Sequence, residues 1–108
     1  MGATTFKSIG FGKTAQEAYQ TLIKEATDEY GWDPYNGTIS TTGGIGFPFN
    51  LGKRKIDKYI KDHINEYEPH GKCGCIEVIG ARKKAFKKEY GQQGKTINVY
   101  VFFGWVKT

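Results

Sequence analysis

Only two cysteines, three prolines and one methionine stand among the 108 residues. No apolar run approaches the ~18 residues of a membrane span. Both cysteines fall within the short stretch HGKCGCIEV. They are too close in sequence to staple distant parts of a fold, which excludes a disulfide-rich secreted scaffold and leads us to expect reduced thiols. The opening MGATTFKSIG lacks the basic-then-apolar order of a secretory signal, so a cytoplasmic protein with no membrane partner is expected. The few prolines offer no linker, and neither an internal repeat nor a low-complexity tail is visible. Acidic residues are scarce in the second half: residues 50–108 hold thirteen Lys/Arg against six acids, whereas residues 1–49 hold three against five. The halves therefore carry +7 and −2, and such asymmetry points to an anionic partner.

What is present is enough for a core. With 38% apolar and 15% aromatic residues, the chain reads as a single globular domain over 1–108. Residues 4–11 are β-branched and aromatic and predict a first strand. From Thr14 to Tyr30 the apolar residues Ala15, Ala18, Tyr19, Leu22, Ile23, Ala26 and Tyr30 share one helical face, with Thr14 and Glu17 forming a capping box and Gly31 closing the far end. Thr14 also ends GFGKT, which resembles the close of a phosphate-binding loop. The leading glycine of that motif would fall at Lys7, so the cap is the better explanation.

Residues 38–42 form a short strand candidate, and residues 53–67 return to helical spacing through Ile56, Tyr59, Ile60, His63, Ile64 and Tyr67, with Asn50 as cap. Two further strands, 73–80 and 96–106, are joined by the basic segment 81–95 as an extended hairpin connection. The order β-α-β-α-β-β predicts an α+β two-layer sandwich, with a sheet of about four strands and both helices on one face. Ile97, Val99, Val101, Phe103 and Trp105 then face the helices, while Tyr100 and Phe102 face outward as an apolar strip suited to a partner or a second copy of the chain.

Two basic clusters are candidate binding sites. Lys53, Arg54, Lys55 and Lys58 crowd a helix start, where the macrodipole is already positive, at the close of the glycine-rich stretch 30–55. A bound anion would offset that repulsion, and a solvated lysine face is the alternative. Arg82, Lys83, Lys84, Lys87 and Lys88 surround Phe86 and Tyr90, a pattern that suits nucleic acid or a solvated hairpin tip. His70, Cys73 and Cys75 form H-x-x-C-x-C, and His63 or Glu77 could supply a fourth ligand. The usual zinc spacing is missing, so structural thiols and no metal are expected. No orienting carboxylate or oxyanion-hole motif accompanies the cysteines, so no catalytic residue and no cofactor is assigned.

Residues 12–41, with AQEAY on the helix, then Tyr30-Gly31, then YNGTI, resemble small bacteriophage and prophage proteins, among them anti-defence and anti-CRISPR-like accessory proteins. The resemblance implies a non-enzymatic protein that inhibits a bacterial immune system by binding, in the host cytoplasm. Many such proteins are acidic mimics of DNA, and the basic second half departs from that. The expected partner is a host protein or an anionic ligand. A nucleotide held by the glycine-rich loop and basic helix start is one alternative, and a nucleic-acid-binding module is another.

Overall fold

The computed structural model describes residues 2–31, 39, 42–52, 54–68, 70–92, 94 and 96–107. Strand β1 (Ala3–Gly12) leads into helix α1 (Ala15–Tyr30). After the glycine-rich segment come α2 (Ile56–His63), a single 3-10 turn (Ile64–Glu66), β2 (Gly74–Val78), α3 (Gly80–Glu89) and β3 (Asn98–Lys107). The three strands form an antiparallel sheet in the order β1-β3-β2. Ala3 pairs with Lys107 at one end of the β1–β3 ladder and Gly12 with Asn98 at the other. On the outer side of β2, Ile45 and Phe49 make isolated parallel bridges to Cys73 and Ile76, so the irregular segment between them runs along the free edge of the three-stranded sheet. Its backbone is paired by Gly46 N to Cys73 O at 3.0 Å and Glu77 N to Phe49 O at 2.7 Å.

The α+β class matches the sequence reading; the two-layer arrangement does not, and among the described residues the regular sheet has three strands rather than about four and there are three α-helices rather than two. Alternation along β3 sends Tyr100 and Phe102 to one face, where they pack with Ala18, Tyr19, Cys73 and Cys75 beneath α1. Val99, Val101 and Phe103 go to the other face, packing with Ile76, Val78, Ile56, Ile60 and Phe86 beneath α2 and α3. The sheet is therefore the middle of three layers. Tyr100 and Phe102, expected as an outward strip, are core residues at 4% and 0% exposure. The basic segment 81–95, expected to be extended, contains α3. The strand expected at 38–42 lies largely outside the described residues; within it, Thr42 N turns back to Ile39 O.

Local chemistry accounts for how α1 is seated. Thr14 Oγ1 accepts the Glu17 amide at 3.1 Å, and Gly31 takes φ 80° at the other end, as the capping box and glycine stop require. The two glycines of GFGKT serve packing. A Cβ at Gly10 would stand 3.0 Å from both Leu22 Cδ1 and Phe102 Cε2, and one at Gly12 would stand 2.9 Å from Ala18 N. Tyr19 then fixes the helix to the glycine-rich segment. Its hydroxyl accepts the Gly44 amide at 3.1 Å and lies 2.6 Å from Thr42 Oγ1, which itself donates to Ile39 O. On the opposite face, Trp105 Nε1 donates to Ile64 O at 2.9 Å and ties β3 to the turn after α2. Among the described residues no helix is long and apolar enough to cross a membrane.

Candidate anion-binding cleft

Helix α2 begins at Ile56, three residues later than its spacing predicted, and Asn50 is not its cap. Lys55 occupies the N-cap position with extended backbone (φ −77°, ψ 132°) and makes no side-chain cap bond. Helix α3 is likewise uncapped by a side chain, with Ile79 at its N-cap and Gly80 entering at φ 67°. The two helix starts lie on the same face of the sheet and border a cleft of about 860 Å³. Lys7, Arg54, Lys55, Lys58 and Arg82 line it against a single carboxylate, Asp57, while Ile9, Ile79, Phe86 and Val101 supply apolar wall.

The cations differ in how they are held. Lys7 pairs with Asp57 at 2.8 Å and joins β1 to α2; both are exposed, so the pair adds little stability. Arg82 donates to Gly52 O, bringing the first turn of α3 onto the turn before α2. Arg54 Nε donates to Leu51 O at 3.1 Å, and its guanidinium lies 5.4 Å from the centre of the Tyr59 ring. Among the described residues, Lys55 and Lys58 meet no carboxylate within ion-pairing range. Two ammonium groups without counter-charge beside three more cations make a positive field in a partly walled space, where charge-assisted contacts to an incoming anion are strongest.

The structure thus divides the sequence candidates. Arg54, Lys55 and Lys58 line one cleft together with Arg82 from the second cluster; Lys53 lies outside the described residues. Lys83 donates to Asn98 Oδ1 at 2.6 Å, and Asn98 in turn donates to Lys13 O, so Lys83 is used within the fold. Lys84, Lys87 and Lys88 line a separate cavity of about 370 Å³ with Gly91 and Gln92, and Lys87 donates to Gly94 O at 2.5 Å. Lys7, Ile9 and Ile79 were missed because nothing in their own neighbourhoods is unusual. Strand alternation in β1, which places Lys7 and Ile9 on the side away from α1, was the available signal.

The cysteines sit on the other face of the sheet and have no part in the cleft. Both are buried, and burial pushes each thiol up to about 12. At neutral pH both are therefore held as thiols. His70 is exposed, and among the described residues no group of three His, Cys, Asp or Glu could hold a metal ion.

Comparison of the chain with models of known protein families, with curated proteins and with solved structures gives no match.

Proposed function

We propose that this chain is a small phage-type accessory protein that acts by binding rather than by catalysis, and that the cleft between α2 and α3 holds its anionic partner. One observation carries the reading. Five cations and one carboxylate line a single cleft of about 860 Å³ that also has apolar wall. That volume falls within the range of sites for small ligands, in which apolar surface supplies affinity and a few polar groups supply orientation. A phosphate-bearing ligand answers both features, its charge meeting the cations and its organic part the wall. In a host cell, holding such a ligand would withdraw it from the system that uses it.

The decisive variant is Lys55→Asp. Aspartate at an extended N-cap position accepts a first-turn amide and replaces a cation that the helix dipole disfavours, so stability at low salt should rise by about 1 kcal/mol. Affinity for an anionic ligand should fall tenfold or more, because a charge-assisted contact is lost and repulsion is added. Denaturant unfolding and calorimetric titration with inorganic pyrophosphate measure the two quantities. Undiminished pyrophosphate affinity in a well-folded variant would overturn the cleft as the binding site.

A further inference from the structure

The cations at the start of α2 face two ways. Arg54, Lys55 and Lys58 line the inner cleft and also one wall of a second cavity of about 470 Å³ on the outer side of α2. That outer space is walled by Tyr59 and His63, whose rings stack at 4.2 Å. It contains one carboxylate, Asp62, as the inner cleft contains Asp57. The pattern across the site is therefore a lobe with apolar wall and a carboxylate, a ridge of three cations, and a lobe with aromatic wall and a carboxylate.

From this pattern we infer that the ligand is a dinucleotide: two nucleosides joined through phosphate, the phosphates on the cationic ridge and one nucleoside in each lobe. The inference rests on the cleft being the anion site. Each lobe offers what a nucleoside needs. Tyr59 is itself covered by His63 and the Arg54 guanidinium, so the surface for a base is the half-exposed His63 ring in the outer lobe and Ile9, Ile79 and Phe86 in the inner one, and a carboxylate accepts hydrogen bonds from ribose hydroxyls or an exocyclic amino group. A mononucleotide would leave one lobe unfilled. A longer strand would carry further phosphates past Asp62, where like charge opposes them.

Calorimetric titration of the whole protein with four probes tests this: inorganic pyrophosphate, adenosine monophosphate, a pyrophosphate-linked diadenosine, and a cyclic diadenosine diester. One of the two dinucleotides should bind at least tenfold more tightly than the monophosphate, and which one does so identifies the linkage. Asp62→Ala in the outer lobe and Ile79→Ser in the inner lobe alter exposed side chains. Each should lower dinucleotide affinity tenfold or more relative to the pyrophosphate affinity of the same variant. Equal affinity for monophosphate and dinucleotides, or no effect of either lobe variant, would overturn the inference and leave the cleft intact as an anion site. Affinity that climbs steadily with length in oligonucleotides of two to about twelve residues would overturn it in favour of a polyanion track. Failure of pyrophosphate itself to bind would remove the cleft reading and the inference together.

Discussion

At the scale of single residues, Cys73 and Cys75 carry the clearest thermodynamic signature. Each thiol stays protonated in the folded chain up to a pH of about 12, because burial opposes the thiolate. The unfolded chain releases those protons near pH 8.5. Between these values the folded state binds more protons than the unfolded one, so stability is fully present below pH 8.5 and falls as pH rises through this window. The limiting slope is about 1.4 kcal/mol per pH unit for each thiol. Tyr19, Tyr67 and Tyr100, also raised chiefly by burial, add to the decline at still higher pH. Urea unfolding at pH 8, 9 and 10 should show the decline, and Cys75→Ala should flatten it. A parent protein whose stability stays level from pH 8 to 10 would contradict this account. Alkylation of either cysteine at neutral pH should require opening of the fold.

At the scale of elements, the best-specified piece is α1, and its cap gives a direct measure. Thr14→Ala removes the acceptor of the Glu17 amide and should cost about 1 kcal/mol in denaturant unfolding. It should leave pyrophosphate binding unchanged, since Thr14 lies outside the cleft; a binding defect would revive the phosphate-loop reading of GFGKT. This helix was legible because its apolar residues repeat with helical spacing between a capping box and a glycine. Helix α3 was not, because GARKKAFKKE places only Phe86 into the core and shows no apolar stripe. Its signal was intrinsic propensity: alanine, arginine, lysine and glutamate fill it. The error over Tyr100 and Phe102 has a related cause. Alternation assigns residues to two faces without saying that only one is covered. The nearly unbroken apolar run VYVFFGWV was itself the mark of a strand buried on both sides. The cleft was half legible. Arg54, Lys55 and Lys58 are close in sequence, whereas Lys7, Ile79 and Arg82 reach them only through the sheet order and the placement of α3.

At the scale of the molecule, charge is sorted by layer. Helix α1 carries four acids and one lysine, a net −3, and α3 carries five cations and one acid, a net +4. They lie on opposite faces of the sheet, so the molecule presents its positive side, the cleft included, to an approaching anion. Lys84→Glu with Lys88→Glu, outside the cleft, should slow association of pyrophosphate-type ligands at low salt and leave dissociation unchanged. The difference should vanish near 1 M salt, where the Debye length is about 3 Å. A change in dissociation rate of equal size would instead place these lysines in the site.

The sheet order β1-β3-β2 also dictates when this protein can exist as a folded object. Strand β3 holds the central position, and both other strands take their ladder bonds from it. It also follows the other described elements in chain order, so it leaves the ribosome after them. Until residues 98–107 emerge, β1 and β2 have no antiparallel partner and neither core cluster has its central side chains. Assembly must then bring Ala3 to Lys107 across nearly the whole sequence, a closure whose entropy tends to make folding slow. A chain stopped after Ile97 should show no cooperative unfolding transition, and a ribosome-bound nascent chain should remain protease-sensitive until the last strand has cleared the exit tunnel. Protease resistance before that point would mean that the two helical layers hold together without the strand between them.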